Sequence, residues 1–283
     1  MAIEIPSGNG TLLTNEVADI LVGPLEQAST FLAAGPQIVD TPNPLRVPRI
    51  SGGATAAFVA AGGQISDGDV TFDEVTLLPS ALKGLKVLVR VSNELLRQSV
   101  VALEATLRTR LITDIANALD AALWNGVGTS DSVEGILKAS GIATGDLDLT
   151  DPDSLIDGID TALGNYVQPS HLAMRSATFT QFRKLKVGST DARYLFDPAA
   201  AYAASRYNLF GLPVIITNNV PADTVAVVDF SKVIVARDVD SEVKILTETW
   251  GDYDSVGIRV VSRFDTALLQ PKAVTLLTVP AGP

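Results

Sequence analysis

The sequence predicts an α+β fold, and three observations carry the prediction. One apolar stripe is long enough for a single extended helix, a Gly-rich turn joins two strand-like limbs into a long hairpin, and the second half of the chain mixes short helical with short strand patterns. No segment repeats at a fixed period, so a solenoid or propeller is not indicated.

Residues 1–48 read as an extended arm. Pro6, Pro24, Pro36, Pro42, Pro44 and Pro48 punctuate it, and each proline fixes φ and removes a backbone donor. Within the arm, Val17, Ile20, Leu21 and Leu25 fall at helical spacing, so one short helical patch is expected over Asn15 to Gln27. An arm of this kind lies along another surface, its own subunit's or a neighbour's.

Residues 49–91 read as a long hairpin. The outgoing limb is Ile50 to Ala60, the tip runs from Gly62 to Asp69, and the return is Val75 to Leu78 followed by Leu85 to Val91. Charge is polarised along it, with Asp67, Asp69, Asp73 and Glu74 near the tip and Lys83, Lys86 and Arg90 on the return limb. These residues are expected to form an interface in which the acidic end meets a basic partner.

Ser92-Asn93-Glu94 can cap a short helical turn, and a long helix is expected from Val101 to Trp124. Leu103, Leu107, Leu111, Ile115, Leu119 and Leu123 recur every four residues along it. At 1.5 Å per residue it spans roughly 36 Å, and Asn125-Gly126 ends it. Asp151-Pro152 then places a cap and a first-turn proline ahead of Leu155, Ile159 and Leu163. His171 to Met174 reads as a strand and Ser176 to Leu185 as a helix. Pro213 to Thr217, Val225 to Asp229 and Lys232 to Ala236 read as buried strands, and Val256 to Val261 and Ala273 to Val279 close the chain.

Composition excludes several functional classes. Of 283 residues, 47% are hydrophobic and only 19% charged, against about 25% charged in ordinary soluble domains. The 21 basic and 32 acidic residues leave a net charge of -11, which disfavours a sequence-specific nucleic-acid reader, since that affinity begins with phosphate neutralisation. With no cysteine and one histidine, His171, thiolate metal sites, Cys nucleophiles and His-pair sites are absent. No secretory signal and no apolar run of membrane length is visible.

Catalytic templates each fail on a requirement. Gly8-Asn9-Gly10 lacks the third glycine of a dinucleotide fingerprint, and Asp67-Gly68-Asp69 meets Phe72 and Leu78 where a calcium loop needs Gly and Glu. Ser170 and His171 are adjacent, and neighbours on one strand face opposite ways, so the pair is not expected to act together. Asp157 and Asp160 lie one helical turn apart and read as a solvated face. No catalytic, cofactor-binding or metal-binding residue is therefore assigned.

Five stretches in order resemble one family. They are Ser51-Gly52-Gly53-Ala54-Thr55-Ala56-Ala57-Phe58-Val59, Thr71-Phe72-Asp73-Glu74-Val75-Thr76-Leu77, Val89-Arg90-Val91-Ser92-Asn93-Glu94-Leu95-Leu96, Asn125-Gly126-Val127-Gly128-Thr129 with Glu134-Gly135-Ile136-Leu137, and Leu209-Phe210-Gly211-Leu212-Pro213-Val214-Ile215 with Asn218-Asn219-Val220-Pro221. Together with Arg263-Phe264-Asp265 and Gln270-Pro271-Lys272-Ala273, they make the chain resemble, nearly end to end, the major capsid proteins of tailed phages with the Hong Kong 97 fold.

The resemblance implies an N-terminal arm (1–48), an extended loop (49–91), a peripheral domain with a spine helix (92–142 and 247–283) and an axial domain (143–246). It implies a non-enzymatic shell protein without cofactors, assembled in the host cytoplasm from hexamers and pentamers into an icosahedral virion capsid. Portal, a separate scaffold protein and non-specifically contacted double-stranded DNA are the implied partners, and no membrane is involved. Arg108 and Arg110 are candidate genome contacts. Some members cross-link a loop lysine to a neighbour's asparagine, but residues 62–70 hold no Lys and residues 250–255 no Asn, so no covalent cross-link is expected. Two other readings stay open on sequence alone: an encapsulin-type nanocompartment shell, and a soluble α+β hydrolase using surface carboxylates.

Overall fold

The computed structural model describes residues 29–52, 58–59, 62, 64, 71–78, 84–92, 102–129, 132–187, 193–196, 207–238 and 242–280. The expected helical patch at 15–27 lies outside them. The described chain forms four sheets around one long helix.

Helix α1 (Ala102–Asn125) matches the expected spine. From residue 110 on, its buried positions are Ile115, Ala116, Leu119, Asp120, Leu123 and Trp124. A strict four-residue period drifts about 40° per step on a helix of 3.6 residues per turn, so the inward stripe becomes pairs of adjacent residues and takes in Asp120 and Trp124. The helix ends against its own continuation. The N–H groups of Gly135, Ile136 and Leu137 donate to the carbonyls of Gly126, Leu123 and Trp124, satisfying acceptors that a helix C-terminus leaves open. Only glycine fits there: a Cβ on Gly126 would stand 2.1 Å from the Val133 carbonyl oxygen, and one on Gly135 would stand 2.5 Å from the Asn125 nitrogen.

The arm's described part enters this core. Phe31 is fully buried and meets Trp124 and Phe230 edge-on, with centroids 5.1 and 5.4 Å away. Strand β1 (Gln37–Asp40) then pairs parallel with β10 (Val233–Arg237), which pairs antiparallel with β13 (Phe264–Leu268).

Strands β2 (Leu45–Gly52) and β3 (Thr71–Leu77) form a two-stranded antiparallel hairpin. It starts at Leu45, so Pro48 lies inside β2, and the expected outgoing limb is entered five residues early. Strand β4 (Leu85–Ser92) is not its continuation. It pairs along its whole length with β12 (Ser255–Ser262), which pairs with β11 (Glu242–Trp250), so the return limb divides between two sheets. Inward residues Leu85, Val87, Ile258 and Val260 pack this second sheet onto the α1 core.

The fourth sheet has six strands in the order β5-β14-β9-β6-β8-β7. They are β5 (Ala143–Asp146), β14 (Val274–Thr278), β9 (Thr224–Val228), β6 (His171–Met174), β8 (Leu212–Ile216) and β7 (Asn208–Leu209). All five residues of the central β9 are buried, the pattern of a strand covered on both faces. Helices α2 (Asp153–Gly164) and α3 (Ser176–Arg183) cover a second core of Leu155, Leu172, Phe179, Phe182 and Val227. Strand pairing crosses residue 246 in both directions, because β14 completes this sheet while β10 pairs with β13.

Candidate assembly surfaces

The surfaces are rooted in buried polar contacts. Asp120, 3% exposed, receives the start of the described arm: the hydroxyls of Ser29 and Thr30 donate at 2.5 and 2.6 Å, and the Thr30 and Phe31 N–H groups at 2.8 and 3.4 Å. A buried carboxylate is tolerable when donors surround it, and four donors from a segment about 90 residues away make this one a clamp. Further along, Arg237 donates from Nε and Nη2 to the two oxygens of Asp40 at 2.7 and 2.8 Å, tying β1 to β10. These hydrogen bonds, with the Arg237 charge, hold the Asp40 carboxyl below the usual carboxylate range against the opposing effect of burial.

The hairpin is fixed at its base. Leu77 and Leu78 pack with Ile234 and Ala236. Leu78 takes the left-handed conformation at φ 51°, and its N–H donates to Asp265 Oδ2 at 2.8 Å. A bulky residue there costs about 1–3 kcal/mol, which burial and the Asp265 contact offset. Beyond the root, Phe58 is fully exposed.

The predicted interface residues separate. Asp73 accepts from Arg49 Nε at 2.9 Å, and Glu74 lies 3.6 Å from Arg46, so both meet arginines of their own partner strand. The Arg49 hydrogen bond holds the Asp73 carboxyl below its ordinary range. Lys86 and Arg90 lie on the exposed face of β4 in the other sheet. Arg90 sits 4.5 Å from the Tyr253 ring centroid and 5.8 Å from that of Trp250. Asp67, Asp69 and Lys83 lie outside the described residues. Arg108 is on α1, and Arg110 on the same helix pairs with Asp114 at 3.0 Å with both side chains exposed.

Ser170 and His171 are in contact, contrary to the expectation from strand alternation. Ser170 precedes β6, and its hydroxyl lies 2.9 Å from His171 Nδ1. That hydroxyl also lies 3.1 Å from the Val228 carbonyl and accepts from the Phe230 N–H, so it is tied to the backbone on either side of the turn. The pair braces the turn between β9 and β10. Among the described residues no group of three or more His, Asp or Glu is placed to hold a metal ion, and no helix is long and apolar enough to cross a membrane.

This arrangement of rooted arm, hairpin, long helix and six-stranded sheet has counterparts among solved structures. The model of the Phage capsid family matches residues 9–279. The chain belongs to the phage capsid family. No curated protein matches it. Among solved structures, the capsid of a native GTA particle computed with C5 symmetry is 23% identical, with a TM-score of 0.72 over 89% of this chain and 91% of that one. A structure from Mycobacterium phage Adephagia is 18% identical, with a TM-score of 0.69 over 90% of this chain and 91% of that one. A structure from Gordonia phage Cozz is 15% identical, with a TM-score of 0.68 over 91% of this chain and 86% of that one. The fold is therefore the Hong Kong 97 fold, and the chain is a shell protein of a phage head rather than a member of an enzyme family.

Sequence reasoning missed Asp120 and the Asp40–Arg237 pair. Asp120 carried one signal, an acidic residue within the helix's apolar stripe, but its partners were not readable.

Proposed function

We propose that this phage capsid protein self-assembles through pentamers and hexamers into an icosahedral head that encloses double-stranded DNA. The family match across residues 9–279 carries the reading. The exposed Phe58 beyond a rigid hairpin root supports a hairpin that overlaps a neighbouring subunit, since an aromatic side chain gains about 1.5–3 kcal/mol on burial. Asp67, Asp69, Asp73 and Glu74 meet a basic surface of that neighbour, with Lys83, Lys86 and Arg90 as the facing charges. Arg49 and Arg46 already partner Asp73 and Glu74, so Asp67 and Asp69 carry more of this contact. Arg108 and Arg110 touch the genome non-specifically, and the net charge of -11 keeps the inner wall from binding DNA tightly.

Assembly runs in the host cytoplasm with a portal and a separate scaffold protein, and the shell is held without covalent links. The test is expression of the full chain with sedimentation and negative-stain imaging. Closed shells are expected, and shells from infected cells should contain nuclease-protected DNA. A protein that stays monomeric at high concentration, or shells filled with a host enzyme, would overturn the reading.

A further inference from the structure

Where the hairpin base meets the sheet of β1, β10 and β13, a cleft of about 370 Å³ stays open. Its rims are Glu74 to Thr76 of β3 and Asp265 to Leu268 of β13, and Ile136 and Pro271 add an apolar lining. Successive side chains of a strand point to opposite faces, so a cleft lined by consecutive residues looks onto strand edges rather than onto one face. Among the described residues β3 pairs only with β2, and β13 only with β10, so both edges are open.

Hydrogen bonding fixes which main-chain groups point into the gap. The Leu269 N–H donates to the Lys232 carbonyl and the Asp238 N–H to the Arg263 carbonyl, so the odd-numbered residues of β13 face β10. Thr266 and Leu268 therefore turn their main-chain groups outward. On β3, Pro48 has no N–H to give to Glu74 opposite it, and the Glu74 N–H donates to Asp73 Oδ1 at 2.8 Å. The Leu78 N–H, in the same phase, goes to Asp265 Oδ2 at 2.8 Å. Thr76 lies between them in that phase, so its N–H and carbonyl also point away from β2. The two edges are clasped at Leu78 and Asp265, and the Thr76 and Leu268 groups are left for a further strand.

Charge narrows the choice of occupant. The lining carries Glu74, Glu134 and Asp265 against Arg49 alone, and Arg49 is already held by Asp73. Residues 1–45 hold no Lys or Arg, and neither do residues 50–82, so neither the arm nor the hairpin tip of another copy brings a cation. We propose that the cleft takes an extended segment, carrying a Lys or Arg, of a separate protein. That segment adds a strand at the Thr76 edge and places its cation beside the exposed Glu134. The hairpin root thus gains a partner other than a copy of this chain, which goes beyond the shell-subunit reading.

The test titrates the full chain into the peptide Thr-Val-Thr-Lys-Thr-Val-Thr, labelled with a neutral dye, and into its Glu-for-Lys counterpart, with fluorescence anisotropy as the readout. The Lys peptide should saturate with Kd below about 1 mM, and the Glu peptide should bind about tenfold more weakly. Thr76→Pro removes the rim N–H as Pro48 does on β2, and should weaken the Lys peptide about tenfold, while Thr76→Ala should bind like wild type. Glu134→Gln should narrow the preference for Lys over Glu several-fold. Far-UV circular dichroism and thermal melts confirm folded chains. Should Thr76→Pro misfold, a Lys peptide N-methylated at every amide replaces it, with the same loss of about tenfold expected. The inference is overturned by absence of binding up to about 1 mM, or by equal affinity for the Lys and Glu peptides. Undiminished binding by folded Thr76→Pro, or of the N-methylated peptide, overturns it equally. Binding is read on the folded chain, so its failure is distinct from a failure to form shells.

Discussion

Asp120 shows how one side chain can govern a segment far away in sequence. It is buried, and its carboxylate holds three consecutive residues of the arm, Ser29 to Phe31, at the point where Phe31 enters the aromatic core. Asp120→Ala leaves those buried donors without an acceptor, and a charge-assisted hydrogen bond contributes about 1.5–3 kcal/mol net. Denaturant unfolding should therefore show a loss of about 3 kcal/mol, with amide exchange at 29–32 speeding up more than elsewhere. Asp120→Asn keeps the shape and should lose less. Equal exchange rates in wild type and Asp120→Ala would remove the clamp from this account. Gly135 is the second residue of this kind. Gly135→Ala drives a methyl into the α1 backbone, and the expected result is a loss of several kcal/mol or insoluble protein, read as soluble yield and melting temperature. The glycines at 126 and 135 were visible in the sequence as a motif. Their reason was not, because it is the close return of the chain over the helix end.

Among the elements, β1 is attached in part by a pair whose charge depends on pH. Asp40 titrates below the usual carboxylate range because Arg237 stabilises its charged form. A lowered native pKa adds stability above the unfolded pKa of about 3.9, and that stability is lost as pH falls through the native value. Asp40 is 47% exposed, so the pair's contribution is under about 1 kcal/mol. Exchange of the β1 amides should be steady from pH 7 to 5, and the extra protection should vanish as pH drops below about 4. Arg237→Gln should remove that pH dependence, and its persistence would assign it to another carboxylate. Most elements were legible from period and punctuation. The α1 stripe, the capped start of α2 and the unbroken apolar run of β9 each describe their own local conformation. The fate of β4 was not legible, since Leu85 to Ser92 alternates like a hairpin limb whichever strand it pairs with. Alternation states that one face is buried; it does not state against what.

For the whole molecule, the low charge content and the exposed apolar side chains, Phe58, Ile156 and Leu163 among them, fit a surface covered by copies of itself. Phe58→Ser should leave the melting temperature of the monomer unchanged while lowering shell yield several-fold. Unchanged yield would place the hairpin limb outside the assembly contacts. Shells boiled in detergent should run as a single monomer band, because residues 62–70 offer no lysine for an isopeptide bond. A ladder of covalent multimers would contradict this.

What the sequence determined by itself was local and chemical. It specified a long helix, a hairpin with polarised charge, an α+β second half, the absence of thiol and His-pair chemistry, and a set of motifs in family order, because these depend on neighbours in the chain and on composition. Tertiary structure alone decided which strand β4 joins, that Asp73 and Glu74 face Arg49 and Arg46, and that Asp120 receives the arm. Each of these joins residues well separated in sequence. The free energy of such contacts comes from burial and pairing across the fold, and no local pattern records which distant partner will be there.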